Sequence, residues 1–307
     1  MAWSTNRALI DGNRPKKSKA PPALDGMVSA TELVMVHLGD SSDQIWYATL
    51  RSADEVWTGD RQALALRGEA RPAMAGGLML FPARTAGGRL FEARFSAAGW
   101  AFNDADPEAR DREGRPFSAH LVPSLARSAA ATHLLFEASG STRIDHAVLR
   151  GRRWQALEPL GTPGQGTFRT RTVPAVAAQG DTLHVVHLGE SSNDIWHARG
   201  TVSVARDGDV RVRWRDEKLV GGQKSKASPA IAVFNGRVHM VHLGDSSSSL
   251  WHSIYIEGLD AWTQEVVPDQ LSKAPPALAA FNGALHMVHL GESSNQIWWS
   301  TWGDPNQ

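Results

Sequence analysis

The sequence predicts an all-β fold: a six-bladed β-propeller with four-stranded blades, its ring closed by an N-terminal strand that completes the last blade. Three observations predict it. The motif V-H-L-G-[DE]-S-S-x-x-[IL]-W occurs four times. Its spacing leaves room for two degenerate copies. The last copy stops one strand short, and the chain opens with a segment that resembles the missing strand.

The four clear copies lie at 18–46, 170–196, 225–251 and 272–298. Their shared histidines are His37, His187, His242 and His289, and the last two intervals are 55 and 47 residues. The first interval, 150 residues, is about three such units. Two degenerate copies are therefore expected between them. Residues 71–100 and 122–154 fit: each keeps the proline, a short apolar strand, a turn and a second strand, but lacks H-L-G and S-S-x-x-I-W. The expected domain is one propeller over 1–307, with intact repeats near 17–58, 165–216, 222–267 and 271–302 plus 1–14, and degenerate repeats near 61–105 and 116–160.

Each unit reads as β-structure. A Pro-Ala-aliphatic entry leads into a short strand ending near Phe281. Asn282-Gly283 then signals a hairpin, because both residues tolerate positive φ. Leu285 to His289 is a second strand rich in apolar residues. Gly291 to Asn295 is turn chemistry. Ile297 to Trp302 is a third strand, and Ala261 to Val267 of the preceding unit represents the fourth. The opening residues Ala2 to Asp11 match that fourth strand, which favours a closed circle over an open stack with exposed sheet edges.

Composition removes several function classes. Lys plus Arg equals Asp plus Glu at 32 each, which argues against a nucleic-acid partner, since polyanion binders carry a basic excess. No apolar run approaches the length that spans a bilayer, so membrane insertion is not expected. Without cysteine there is no disulfide, thiol catalysis or Cys-ligated zinc. No secretory signal is visible over residues 1–15, so the expectation is a cytoplasmic protein or one released without a classical signal. Oligomeric state is left open.

Four sets of repeated residues are candidates for ligand binding, with no cofactor or metal implied. The first is the turn acid and second serine: Asp40 and Ser42, Glu190 and Ser192, Asp245 and Ser247, Glu292 and Ser294. Such residues cap turns with their own side chains, yet a turn does not require so strict a repeat. The second is Trp46, Trp196, Trp251 and Trp298, whose rings suit the apolar face of a pyranose. The third is the cation of the entry loop: Lys19, Arg171, Lys226 and Lys273. The fourth is the histidines His37, His187, His242 and His289, for which burial between sheets is the alternative. Within H-x-V-H, two histidines three apart in a strand face opposite sides and cannot share a metal. A second tryptophan set, Trp3, Trp57, Trp100, Trp154, Trp214 and Trp262, falls in outer strands and reads as packing between blades. The degenerate units lose the cation, the acid-serine turn and the inner tryptophan together while keeping their strands. That joint loss marks those residues as one unit separable from folding.

At this point the repeats resemble those of bacterial β-propeller lectins of the PLL type, whose blades also run Ser-x-Pro, a Gly-Asp-x-x-x-(I/L)-W turn and an outer-strand tryptophan. Residues 222–262 and 272–302 carry the likeness most clearly. That group is mostly seven-bladed, whereas this chain counts to six; six-bladed fungal fucose lectins are similar in blade number but less in motif. The resemblance implies a multivalent, fucose-binding-like lectin with glycan partners at clefts between intact blades, and no catalytic residues. Two rivals stand beside it. One is a protein-interaction scaffold. The other is a propeller glycosidase, which needs paired carboxylates or a tyrosine nucleophile in one pocket. For that rival the sequence offers Tyr47, Tyr255, an Asp-box-like stretch at 52–57, and the single-copy acids Asp104, Asp106, Glu108, Asp111 and Glu113. A ring of the four motif histidines around a metal is a lesser alternative.

Overall fold

A computed structural model describes residues 2–26, 31–52, 56–84, 87–102, 107–119, 122–137, 140–155, 158–162, 164 and 166–303. The chain forms six small antiparallel sheets arranged as a six-bladed propeller, with one short 3₁₀ turn at Glu257–Leu259 and almost no other helix. No described helix is long and apolar enough to cross a membrane.

Blade 1 pairs Ala23–Asp25, Glu32–Leu38, Gln44–Arg51 and Arg61–Arg67. Blade 2 pairs Ala73–Ala75, Leu78–Pro82, Leu90–Ser96 and Gly99–Ala101, and blade 3 pairs Ser124–Arg127, Thr132–Glu137, Ile144–Arg150 and Arg153–Trp154. Blade 4 pairs Ala175–Gln179, Thr182–Leu188, Asp194–Val204 and Val210–Trp214. Blade 5 pairs Ala230–Phe234, Arg237–Leu243, Ser249–Ile256 and Ala261–Trp262. Blade 6 pairs Ala277–Phe281, Ala284–Leu290 and Ile297–Trp302 with Arg7–Ala8 from the opposite end of the chain. The expected closure is therefore present: Arg7 faces Trp299, Ala8 faces Trp298, and Trp3 bridges Trp302.

Each inner strand is short and begins Pro-Ala or Pro-Ser. Small side chains there let six strands converge, and residues from all six line the axial channel: Pro22-adjacent Ala23, then Ala73, Ser124, Ala175, Ala230 and Ala277. The inner hairpins turn as the Asn-Gly pairs require. Asn235 and Gly236 have φ of 48° and 69°, and Asn282 and Gly283 have φ of 46° and 75°, the positive pair of a type I′ turn.

The outer strand differs from expectation. The stretch Ala261 to Val267 is not one strand. Ala261–Trp262 pairs the lower half of the third strand, and Glu265–Leu271 pairs its upper half. Between them the Thr263 hydroxyl accepts the Ile254 amide hydrogen and replaces a ladder bond. The register also shifts between Ser249 and Trp251. Blade 4 breaks likewise at 215–217, where Lys218–Lys224 takes over the third strand.

Six hydrophobic clusters fill the wedges between blades. The outer-strand tryptophans are part of this packing. Each stands against the third strand of the preceding blade, always at the same position. Trp214 meets His146 edge-on at 5.8 Å, Trp262 meets His197 at 5.1 Å, Trp3 meets His252 at 5.4 Å, and Trp57 meets Trp299 at 6.2 Å. At that position in blade 2 stands Glu92, which accepts the Trp154 indole N–H at 3.0 Å. In blade 1 it is Tyr47, packed in one cluster with Trp100.

Candidate functional site

The turn between second and third strands lies on the same face of the disc as the entry loops. Its geometry repeats in all four intact blades. The glycine amide donates to the carbonyl five residues on, at 2.9–3.0 Å: Gly39 to Gln44, Gly189 to Asp194, Gly244 to Ser249 and Gly291 to Gln296. The second serine hydroxyl accepts the amide hydrogen two residues ahead, at 3.4 Å for Ser42 and Ser192 and 3.3 Å for Ser247 and Ser294. A larger residue at the first position would have to displace the serine hydroxyl. A Cβ on Gly244 would stand 2.3 Å from Ser247 Oγ and 3.3 Å from Trp251 Nε1. Ser42, Ser192, Ser247 and Ser294 are thus turn caps, as the capping alternative holds.

Above each turn lies the motif tryptophan. Trp46, Trp196, Trp251 and Trp298 are half-buried, the nitrogen edge of each against the turn glycine. Each sits directly across the ladder from its motif histidine: Trp46 from His37, Trp196 from His187, Trp251 from His242 and Trp298 from His289. On the outer side Trp196 faces Leu219 and Trp251 faces Val266, both exposed. In blades 4 and 5 the tryptophan and its exposed aliphatic partner form a strip of apolar surface, whereas Trp46 faces Gln62 and Trp298 faces Ala8.

The acids and cations are linked through a residue that the motif leaves variable, the one after Ser-Ser. Lys273 donates to Asn295, and Asn295 donates to Asp40 of the next blade at 2.6 Å. Arg171 donates to Asn193, and Asn193 to Asp245 of the next blade. Lys19 pairs with Asp43, which also meets Arg84 of blade 2. Glu190 accepts from Thr142 at 2.5 Å and from Arg169 at 3.3 Å, both from the preceding junction. Between blades 5 and 6 the linking residue is Ser248, too short to span the gap. There Lys226 and Glu292 are exposed, and no bond joins either of them to Ser248 among the described residues. The structure therefore brings acid, cation and linker together across the 6/1 and 4/5 boundaries, while the 5/6 boundary lacks the link among the described residues. Reading the sequence missed the linkers Asp43, Asn193 and Asn295. The available signal was that the position is polar in all four copies.

The four motif histidines lie beneath this surface, on second strands rather than on the channel. His37, His187, His242 and His289 are at most 2 % exposed. Each Nδ1 donates to the carbonyl of the following leucine at 2.8–3.0 Å. Burial pushes His242 and His289 down to about 4, against the pull of those carbonyls, so both are neutral at pH 7. His37 instead lies 3.3 Å from Asp60, which also holds the fully buried Lys16 ammonium at 2.5 Å. Burial raises the Asp60 carboxyl, but the hydrogen bonds and charges of His37 and Lys16 outweigh it and leave it below the usual range. A metal ring of these histidines is corrected by this placement. Each lies on the second strand of a different blade, and the described residues contain no cluster of three metal-ligating groups.

Asp54, Glu55, Asp104 and Asp106 lie outside the described residues. Glu108 pairs with Arg89 and Arg110, Asp111 with Arg115, and Glu113 with Arg112 and Arg115. Tyr47 and Tyr255 are both buried. Burial and a 2.6 Å hydrogen bond to Asp260 push the Tyr255 hydroxyl far above its ordinary range. Along the axial channel the described lining is Pro, Ala, Ser and aliphatic residues with a single charge, Arg71.

No protein-family model matches the chain, and no curated protein does. Solved structures do resemble it. The NanB sialidase from Streptococcus pneumoniae, in complex with 2-[(3-chlorobenzyl)ammonio]ethanesulfonate, aligns over 97 % of this chain and 70 % of its own, with a TM-score of 0.59 and 8 % identity. The structure of YjhT aligns over 92 % of this chain and 95 % of its own, with a TM-score of 0.56 and 9 % identity. At such identities the likeness establishes the six-bladed propeller fold and nothing narrower.

Proposed function

We propose that this protein is a multivalent, non-catalytic carbohydrate-binding propeller whose sites lie on the turn face, at the clefts between consecutive intact blades. One observation carries the reading. The half-buried tryptophan, the acid and the entry-loop cation recur together in four blades, although blades 2 and 3 build the same four-stranded sheet without them. A ring surface beside fixed polar groups matches a pyranose, which has an apolar C–H face and a rim of hydroxyls. Repetition on one rigid disc adds avidity toward a dense glycan surface. The sialidase resemblance in fold fits a glycan-handling protein without naming its chemistry. The lack of a carboxylate on the described channel lining and the burial of both tyrosines support binding over hydrolysis.

The test is a glycan array with calcium and chelator arms, repeated with a Trp251→Ala/Trp298→Ala variant. Binding to one sugar class that the double variant loses is the expected result. A silent array, or unchanged binding by that variant, overturns the reading. A second reading rests on the outer strands of blades 4 and 5, where Leu219, Val266 and Leu271 are exposed at 56 %, 49 % and 43 %. Such a rim suits a protein partner, and a silent array would shift weight to it.

A further inference from the structure

Three grooves open between neighbouring blades. The groove between blades 3 and 4 is about 440 Å³, that between 4 and 5 about 190 Å³, and that between 6 and 1 about 180 Å³. All three border the third-strand position that the outer tryptophans pack against, occupied here by His146, His197 and Trp299. They differ in charge. In the 4/5 groove Asp260 holds Lys218 and, at 3.4 Å, Arg199, so its carboxyl sits at about 2, first through the hydrogen bonds from Lys218 and Tyr255. In the 3/4 groove Arg112 faces Asp209 at 3.7 Å, and Arg211 faces Asp207 at 3.1 Å. Those cations are neutralised by the protein.

Among the described residues the 6/1 groove has no carboxylate in its lining. The charged side chains of its described lining are Arg7 and Arg51. Arg51 shares Glu32 at 3.4 Å outside the groove, whereas Arg7 is exposed, stacks 5.5 Å above the Trp299 ring and has no ion-pair partner among the described residues. Trp3 and Phe281 supply aromatic walls, with Asn282 and Ser52 at the edge. A concave aromatic surface with a guanidinium that has no ion-pair partner among the described residues is complementary to a ring that carries an anion. The volume is of the order of a single six-membered ring with its substituents.

We propose that the groove between blades 6 and 1 binds a small ring-bearing carboxylate, with its anion on Arg7 and its ring against Trp3 and Phe281. This site occurs once, unlike the repeated turn-face unit, and does not depend on it. A hexuronate and an aromatic acid share the required chemistry. Titrating the intact protein with glucuronate and benzoate, each beside its neutral counterpart glucose or benzyl alcohol, and following ligand saturation-transfer NMR, separates the two sources. At least one acid should bind and its neutral counterpart should not. Arg7→Gln should weaken the acid about tenfold or more, the loss expected for one charge-assisted contact. Ser52→Glu, which adds a negative charge at the groove edge without touching the ring of sheets, should do the same and covers the case in which Arg7→Gln does not fold. Trp251→Ala should leave this binding intact even where it abolishes glycan binding. Equal binding of acid and neutral compound, no binding of either acid, or unchanged affinity in the folded Arg7 and Ser52 variants overturns the proposal.

Discussion

Blades 4, 5, 6 and 1 and blades 2 and 3 build the same sheet by different means. Both groups start from a Pro-Ala or Pro-Ser entry, and both seat an outer tryptophan on the third strand of the preceding blade. Only the first group carries the G-[DE]-S-S turn with its half-buried tryptophan. Blade 2 and blade 3 show that this turn is dispensable for closing a blade. The shared tryptophan contact, by contrast, is present at every junction. The difference separates what the fold requires from what the turn face adds.

A second contrast cuts across the first. In blades 3, 4 and 5 the third-strand position is a histidine stacked on another from the second strand: His146 on His133, His197 on His184, His252 on His239, with nitrogens 3.0–3.2 Å apart. Blade 6 replaces the outer member with Trp299, which donates to His286 at 3.1 Å. Blades 1 and 2 have Tyr47 and Glu92 there and no such pair. Burial lowers His133, His184, His239 and His286 to about 4, and His146 and His197 to about 3. In the unfolded chain each titrates near 6.5. Between those values the unfolded state binds more protons, so stability is full above about pH 6.5 and is lost as pH falls.

The largest effect expected from these contrasts is acid unfolding. One histidine lowered from 6.5 to about 4 contributes ~3 kcal/mol that is gone at low pH. Several together exceed the stability of an ordinary domain, so unfolding should precede complete titration. Hydrogen exchange at mildly acidic pH should lose protection first in blades 3 to 5 and last in blades 1 and 2. Protection that fails first in blades 1 and 2, or a melting temperature indifferent to pH across this range, would break the contrast.

Next in size is the pair of tryptophan sets. Trp214→Ala removes a buried wedge against His146 and should cost about 3–5 kcal/mol, as large aromatic deletions in cores do. Trp251→Ala removes a half-exposed ring and should cost no more than about half of that, roughly 1–2 kcal/mol. Chemical denaturation of the two variants compares them directly, and equal losses would merge the two sets into one packing role.

The smallest expected effect concerns the turn. Gly244→Ala places a Cβ against Ser247 Oγ and should cost about 1 kcal/mol through loss of that cap. Gly244→Ala/Ser247→Ala should add little to it, because the clashing atom is gone. A double variant that loses the two single costs in full would show that the glycine is needed for a reason other than the serine.

The repeat, the blade count and the circular closure were legible in the sequence because they depend on local chemistry repeated along the chain. Asn282-Gly283 specifies its hairpin through positive φ, the Pro-Ala entries keep the axis narrow, and Ala2 to Asp11 carries the pattern of an outer strand that blade 6 lacks. The tertiary structure decided what the polar residues do. His37, His187, His242 and His289 looked like ligand candidates in sequence, but strand pairing across Trp46, Trp196, Trp251 and Trp298 places them under the surface. The links from Asn295 to Asp40 and from Asn193 to Asp245 join residues on separate blades, a distance along the chain that no local pattern encodes. Local periodicity determines which strands form and in what order. The charge balance of a groove is set only when the ring closes and unrelated segments such as Arg7, Ser52 and Phe281 come to share one space.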